Sequence, residues 1–405
     1  MTKKPRAATH FAIGNNPERS REHNRRVVLD IIRQHGSLGR MEIARRTHLT
    51  AQAVANIVEE LVEANLVKNT GRRRTSRGQP PVQFAINPEG AATIGVEIAT
   101  DQMATTVLDL TGDLRYKRII PLTDTTPEKC LPIFKAETDR ARQSFASPLL
   151  GVGVVMPGPF DIDGMSSVGP TTLPGWSNMN VKDALEKACG ASVTLENDAS
   201  AAAVAERLFG AGHKVSHFGM IYFGTGIGLG MIQDGLPYRG AFGNAGEIGH
   251  VLAVPNGRAC PCGQKGCLER YASLHALYEK FEAVGRLRPD IDALEALLEA
   301  NDPVILEWLD EASLHLTTIV GLLENILDPE TLIVGGILSD QIFDALLERM
   351  KALPRSVAGR RMRTLPRVMR GQTGQFTAAL GAAALPLFEI LTPKLETSSP
   401  DQQVA

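Results

Sequence analysis

Apolar residues recur at helical spacing through roughly the first ninety positions, after which the pattern turns to strands alternating with helices. In NRRVVLDIIRQ, Val27, Val28, Ile31 and Ile32 share one face of a helix over 24–34, and Gly36 stops it. A short helix holding Met41, Ile43 and Ala44 follows, with Ser37 as its expected cap, and then a turn around Thr47–Leu49. Thr50 can cap a second helix over about 51–64, in which Val54, Ile57, Val58 and Leu61 form the apolar stripe. That stripe leaves Gln52, Ala53 and Asn56 facing outward near the helix start. Past Leu66 and Val67, two β-prone pieces flank a turn rich in Gly and Arg, the sequence form of a wing.

From about residue 91 the reading changes. Ala92–Ile98 and Ala104–Asp109 are strand patterns, with a turn at Thr111-Gly112-Asp113. Leu150–Met156 is a buried strand running into Pro157-Gly158-Pro159. Ser192–Glu196 is another, followed by Asn197-Asp198 and an alanine-rich helix over about 199–208. Phe218–Phe223 and Gly228–Gln233 predict a hairpin around Gly224-Thr225-Gly226-Ile227-Gly228, with a further turn at Asp234-Gly235. Helices dominate 270–327, and Thr331–Val334 runs into Gly335-Gly336. A last helix over about 375–390 precedes a polar tail. No internal repeat is visible in the sequence. The expected organisation is a flexible tail over 1–20, a head over 21–87, a body over 88–390 and a disordered tail over 391–405.

At 405 residues the chain exceeds one ordinary core, and 43% hydrophobic with 22% charged residues is a globular composition. No apolar run nears the roughly 20 residues that span a bilayer. Nor does a signal-peptide apolar stretch follow Lys3, Lys4 and Arg6. A cytoplasmic chain with no membrane partner is expected. The net charge of −2 hides an asymmetry: residues 1–90 carry 16 Lys+Arg against 8 Asp+Glu, a net +8, and the remainder 27 against 37, a net −10. A basic head on an acidic body implies that only the head meets a polyanion.

Early exposed positions of a second helix in such a head reach base edges in the major groove, which nominates Gln52, Ala53 and Asn56 as DNA-reading residues. Gln and Asn each pair bidentately with adenine, so a half-site containing A·T pairs is expected. In the wing, Arg72, Arg73, Arg74 and Arg77 are placed for phosphates or a narrow minor groove. A three-helix packing module with a solvated charge run is the plainer alternative. Helix, turn, helix, wing and positive charge in that order favour operator DNA.

Cys130 and Cys189 stand alone, while Cys260, Cys262 and Cys267 cluster a short distance after His250. In a reducing compartment such a cluster points to metal ligation rather than to disulfides. Three thiolates and one imidazole suit tetrahedral Zn²⁺, and Gly263 and Gly266 let a short loop over 250–267 wrap the ion. Three free buried thiols are the alternative.

GNAGEIGH (Gly243–His250) followed by CPCGQKGCLE (Cys260–Glu269) resembles the signature of the ROK family of bacterial sugar kinases and sugar-responsive repressors, and the resemblance covers most of 91–390. It implies an α/β fold: a two-lobed, actin-like (ribonuclease H-like) ATPase/sugar-kinase body, here behind a winged helix-turn-helix domain. It also implies a structural zinc on His250, Cys260, Cys262 and Cys267, and a sugar held by Asn197, Asp198, Glu247, His250 and Glu269. One ring nitrogen of His250 could hold the metal while the other meets a sugar hydroxyl. The head resembles that of the repressor branch, which includes regulators of N-acetylglucosamine, glucose and xylose genes. Operator DNA and a small sugar effector are the partners this implies. The habit of helix-turn-helix proteins to bind palindromes adds a homodimer or a dimer of dimers. Plainer readings stand beside these: Asn197-Asp198 as a helix cap, Glu247 as a solvated loop acid, and Trp176 as a core residue rather than a sugar-stacking one.

In kinases of this family the Asp198 position is the general base for a sugar hydroxyl. Those enzymes carry an Asp-x-Gly-Gly-Thr-like turn after the first strand, where backbone amides approach phosphate. Here the segment is Glu97-Ile98-Ala99-Thr100-Asp101, with Glu97 in place of the aspartate and Ile98 and Ala99 in place of glycines. Side chains there obstruct the approach and disfavour positive φ, so catalysis is not expected and Asp198 is read as a vestigial base. Gly224–Gly228 and Gly335-Gly336 are retained, and turns of the fold explain both. An ATP-dependent hexose or N-acetylhexosamine kinase is the rival reading. A regulator governed by a protein partner is the third.

Overall fold

The computed structural model describes residues 17–72, 81–158, 173–176, 179–350, 352–358 and 363–393. Contacts divide the chain into two compact units, one formed by residues up to Gly90 together with those from Phe388 onward, the other by Ala91–Leu387. No helix among the described residues is long and apolar enough to cross a membrane.

The head contains α1 (Pro17–His35), β1 (Leu38–Gly39), α2 (Arg40–Thr47), α3 (Ala51–Glu63), β2 (Val67–Arg72) and β3 (Val82–Ile86). Helix α1 begins at Pro17, inside the stretch expected to be flexible tail and seven residues before the helix the apolar pattern marks. Its first turns carry Glu22, Arg25 and Arg26, paired at i,i+3 and i,i+4, so charge rather than burial extends it. Val28, Leu29 and Ile32 are buried with Ile43, Val54, Val58 and Leu61, while Val27 and Ile31 are only half-buried. Ser37 does not cap α2, whose capping position is Gly39; its hydroxyl pairs with that of Thr70 at 2.7 Å. The turn into α3 is made by His48 in the left-handed region, φ 55°, and Thr50 caps α3 by accepting from the Ala53 N–H at 3.2 Å. The wing strands β2 and β3 are antiparallel, and β1 adds to β3 to give the order β1-β3-β2. A two-residue strand such as β1 leaves no alternation to detect.

The body opens with β4 (Ala92–Ile98), β5 (Gln102–Asp109), β6 (Leu114–Pro121), α4 (Pro127–Gln143), β7 (Leu149–Val155), α5 (Val181–Cys189), β8 (Val193–Glu196) and α6 (Asp198–Phe209). It continues through β9 (Phe218–Phe223), β10 (Ile227–Gln233), β11 (Leu236–Pro237), α7 (Glu269–Ala272), α8 (Leu274–Ala283), α9 (Ile291–Glu299) and α10 (Pro303–Leu327). The last elements are β12 (Thr331–Gly336), α11 (Asp340–Arg349), β13 (Val368–Thr373) and α12 (Thr377–Leu391).

Two sheets result, ordered β6-β5-β4-β7-β8 and β11-β10-β9-β12-β13. In each, the first strand of the lobe is antiparallel to the second and parallel to the fourth. The body is thus a structural duplication that the sequence conceals. The topology needs only buried strands at matching places, and many apolar residues satisfy that requirement.

Helix α12 lies directly on the first sheet. A Cβ at Gly95 would fall 2.1 Å from the Ala379 carbonyl oxygen, and one at Gly153 would fall 1.8 Å from that of Ala382. The Thr93 and Thr106 hydroxyls donate to the Ala383 and Ala379 carbonyls at 2.7 and 2.8 Å. Glycine on the strands and alanine on the helix bring the two backbones together, which fixes the carboxyl ends of β4, β7 and β8, where open α/β sheets place ligands. Trp176 is 2% exposed, packs in the core of the first sheet and donates its indole N–H to the Thr125 carbonyl at 2.7 Å; it is a core residue, not a sugar platform.

Candidate functional site

Strands β4, β7 and β8 end at Ile98, Val155 and Glu196, and the residues around and just past these ends, among them Glu97, Pro157, Asn197 and Asp198, line two adjacent cavities. The first, about 600 Å³ and open to solvent, is lined by Asn197, Asp198, Glu247, His250 and Glu269 together with Gly158. All five residues nominated for sugar therefore meet at one place. The second, about 700 Å³, is lined by Glu97–Gln102, Asp198 and Thr225, with apolar walls from Met156, Leu274, Ile291 and Ile337. Pro157 and Asp198 line both.

Asn197 is the N-cap of α6 and accepts from the Ser200 N–H at 2.8 Å, so its Nδ2 is the end available to donate into the cavity. The cap and ligand readings are compatible. Asp198 accepts from the Ala199 N–H at 2.8 Å, yet burial outweighs that bond and pushes its carboxyl up to about 6. Burial likewise lifts Glu269 to about 7 and raises Glu247, with the Asp198 charge adding in both cases. Glu247 is an exposed residue whose carboxyl nonetheless lines the cavity close to Asp198 and Glu269. Gly246 beside it has φ +103°, and a Cβ there would fall 1.9 Å from the Leu229 carbonyl oxygen, so only glycine lets this loop approach β10. The same loop is tied down by Arg239, which donates to the buried Glu196 carboxylate at 2.6 Å. Among the described residues, no Lys or Arg lines either cavity.

The single 3-10 turn Ile248–His250 carries His250 between the first cavity and the cysteine loop. Its Nδ1 lies 3.7 Å from Cys260 Sγ, and Cys262 and Cys267 Sγ are also 3.7 Å apart. All four donor atoms fall within 4.8 Å of one another. A disulfide needs about 2.05 Å between sulfurs. Tetrahedral zinc with bonds of about 2.3 Å to sulfur and 2.0–2.1 Å to nitrogen sets donors roughly 3.6–3.8 Å apart. The donor set thus fits a metal ion of the zinc type. The loop is closed by Gly263 N–H donating to the Cys260 carbonyl at 3.0 Å, with Gly263 and Gly266 at φ +90° and +82°. Burial holds the Cys267 thiol up at about 12 and raises Cys260, so a metal ion bound here would supply the charge that lets these sulfurs ionise. With Nδ1 on the cysteine side, Nε2 is the His250 nitrogen left for the cavity.

At the second cavity the expectation for Ile98 needs correction. Strand β4 runs through it, alternation turns its side chain inward, and it is fully buried in the core of the first sheet. None of Ile98, Ala99 and Thr100 has positive φ, and the Ala99 N–H is taken by the Gln102 carbonyl at 2.9 Å. The turn is narrowed by Ala99, Thr100 and that closing bond rather than by the Ile98 side chain. Glu97, which sequence reasoning treated only as a replacement, is lifted to about 8 by burial, then by Asp198 and Asp101. Tyr222, in the wholly apolar run of β9, went unnoticed: it is 1% exposed with its hydroxyl close enough to feel Glu97 and Asp198. A continuous buried strand carries no periodicity that would single out one tyrosine.

In the head, Gln52 and Asn56 are exposed on the first turns of α3, with Gln52 Nε2 donating to Asn56 Oδ1 at 2.9 Å, while Ala53 is half-buried. Arg72 is exposed at the end of β2. Arg73, Arg74 and Arg77 lie outside the described residues.

A small three-helix head with a wing, and a duplicated α/β body with a carboxylate-lined cleft beside a His-Cys₃ cluster, define a two-part protein built on a sugar-kinase scaffold. Residues 93–388 match the ROK family, and the chain belongs to it. The chain is 26% identical to the xylose repressor of Bacillus subtilis over 368 residues, covering 89% of this chain and 94% of that protein. A crystal structure of a ROK family transcriptional regulator, described as a homologue of the Escherichia coli MLC protein, superposes over 92% of this chain and 98% of its own at TM-score 0.72 and 22% identity, which shows the fold of head and body alike. The ROK family glucokinase of Streptomyces griseus, solved with glucose and AMPPNP, covers 73% of this chain and 98% of its own at TM-score 0.61 and 30% identity.

Proposed function

We propose that this chain is a sugar-responsive transcriptional repressor whose head reads operator DNA and whose body binds the sugar without phosphorylating it. One observation carries the reading. The chain joins a head presenting Gln52 and Asn56 on an exposed, capped helix to a body whose cleft gathers one amide, one imidazole and three carboxyls with no lining cation. Such a set accepts from and donates to sugar hydroxyls. The narrowed Ala99–Gln102 turn and the absence of Lys and Arg from the cleft speak against triphosphate chemistry. Similarity to the xylose repressor along nearly its whole length supports the regulatory reading over the kinase one.

In this account Asn197, Asp198, Glu247, His250 and Glu269 hold the sugar. His250, Cys260, Cys262 and Cys267 hold a structural zinc, which neutralises the thiolates and fixes the His250 ring. Gln52, Ala53 and Asn56 read bases, while Arg72, with Arg73, Arg74 and Arg77, meets phosphate. A cytoplasmic homodimer presents two heads to a palindrome. Sugar changes operator affinity only as far as it binds the two arrangements of the heads unequally.

The test is operator binding by fluorescence anisotropy across a sugar panel. At least one sugar that binds the body should shift operator affinity tenfold or more; operator affinity indifferent to every bound sugar refutes sensing. Asn56→Ala should weaken operator binding by about 1–3 kcal/mol, the worth of one bidentate base contact, and leave sugar affinity unchanged. A coupled ADP-release assay with hexoses and N-acetylhexosamines should show no turnover, and robust turnover would favour the kinase.

A further inference from the structure

Beside the sugar cleft, the second cavity has no role in the function proposed above. Its polar wall is made by Glu97, Asp101, Asp198 and Thr225, and its apolar wall by Met156, Leu274, Ile291 and Ile337. It adjoins the first cavity, with Pro157 and Asp198 lining both. Two buried polar atoms at this place have no hydrogen-bond partner among the described residues: Glu97 Oε2 and the Tyr222 hydroxyl. Tyr222 lies alongside the cavity, since a Cβ on the lining residue Gly224 would sit 3.1 Å from Tyr222 Cε1 and 3.2 Å from Asp198 Oδ2. A buried polar atom left unsatisfied costs about 1–3 kcal/mol. Two such atoms beside a pair of adjacent cavities are hydrogen-bonding capacity that a hydroxyl-bearing ligand would satisfy.

Charge narrows the chemistry. The walls hold three carboxyls and no Lys or Arg. Arg288, which approaches the lining residue Tyr278 at 5.7 Å, is bound to Glu282 at 2.5 Å. A phosphate dianion placed here would face Asp101 and Asp198 with no Lys or Arg among the described lining residues to offset it, an unfavourable arrangement away from bulk water. A sugar ring or another neutral group, by contrast, can set its C–H face on Ile291, Leu274 or Tyr278 and its hydroxyls on Glu97, Asp101 and Thr225, with Tyr222 packed just behind the lining residue Gly224.

We propose that the second cavity is the other half of the effector site and takes an uncharged, hydroxyl-bearing unit joined to the sugar in the first, so that the effector is a neutral saccharide of more than one ring. This rests on the sugar-binding reading of the first cavity. Burial raises the Glu97 carboxyl to about 8, a shift toward the neutral form that can donate as well as accept.

Isothermal titration calorimetry on the full-length, zinc-loaded protein tests it, with four classes of probe. These are monosaccharides (glucose, mannose, xylose, N-acetylglucosamine), neutral disaccharides (maltose, cellobiose, isomaltose, melibiose), hexose 6-phosphates, and ATP with Mg²⁺. At least one disaccharide should bind tenfold or more tightly than either of its component sugars, and the phosphates and ATP at least tenfold more weakly than the parent sugar. Tyr222→Phe removes only an unpartnered hydroxyl and should fold. It and Glu97→Ala should each cut the disaccharide-to-monosaccharide affinity ratio at least threefold. Equal affinity for mono- and disaccharides, a ratio untouched in Tyr222→Phe, or tighter binding of a phosphate or of ATP overturns the proposal while leaving sugar sensing intact. Failure of every saccharide to bind overturns sugar sensing itself and this inference with it.

Discussion

The two ends of the body's hollow are built from similar residues but differ in how their polar atoms are satisfied. At the cysteine end, His250 faces Cys260, Asn197 caps α6, and Arg239 ties its loop to Glu196. At the β4 end, Glu97 and Tyr222 are buried with atoms that nothing among the described residues satisfies. The first end is held by its own bonds. The second depends on what enters it, and a region with unsatisfied polar groups is where stability is given up for binding. Both ends share Asp198, so neither can be changed without the other registering it.

The comparison breaks most visibly at the metal. Cys262→Ser should lower zinc content, measured by mass spectrometry of the purified protein, from near one equivalent to a small fraction of it. Structural zinc sites contribute roughly 10 kcal/mol or more of binding energy, and loss of one of four ligands removes much of that. Sugar affinity should fall with it, because His250 loses its fixed orientation. Full metal content in the variant would mean the ligands are others.

Next in size is the Arg239 tie. Its partner Glu196 is buried, while Arg239 itself is 43% exposed and partly screened. Arg239→Ala strands a buried carboxylate and should cost about 1–3 kcal/mol in denaturant unfolding, with loss of sugar affinity as the loop bearing Glu247 loosens. A variant as stable as the wild type would show that the loop is held by other bonds.

The smallest effect lies at the unsatisfied end and is a matter of pH. The Glu97 carboxyl is raised from 4.5 to about 8, so between those values the folded protein binds more protons than the unfolded chain. Stability from this group therefore falls as pH rises through that window and is level above it. Asp198, raised from 3.8 to about 6, adds in the same direction at lower pH. Glu97→Gln removes the penalty. Its melting temperature by calorimetry should match the wild type near pH 4.5 and exceed it by a margin that grows as pH rises toward 8. A difference that stays constant across pH would remove burial of the carboxyl as its cause.

Much of this was legible in the residues themselves. The α3 stripe of Val54, Ile57, Val58 and Leu61 is buried as the spacing requires, because helical periodicity and burial are the same fact seen twice. The clustering of Cys260, Cys262 and Cys267 pointed to one place, because the ligands sit within a few residues and glycines close the loop. The extent of α1, the strand β1 and the matching order of the two sheets were not legible. Each depends on partners distant in sequence, or on charge pairs that leave no apolar pattern.

By itself, then, the sequence determined the helices of the head from α2 onward, most strands of the body, the charge division between head and body, and the clustering of His250 with three cysteines, all properties of residues near one another along the chain. Only the tertiary structure decided that Ile98 turns into the core, that Trp176 is a core residue, and that Glu97 and Tyr222 meet Asp198 across two strands and a helix end. A strand reveals which residues are apolar but not which of its two faces meets a cavity. That choice is made when α12 settles on Gly95 and Gly153, hundreds of residues away along the chain, and the strand ends are locked into a common wall.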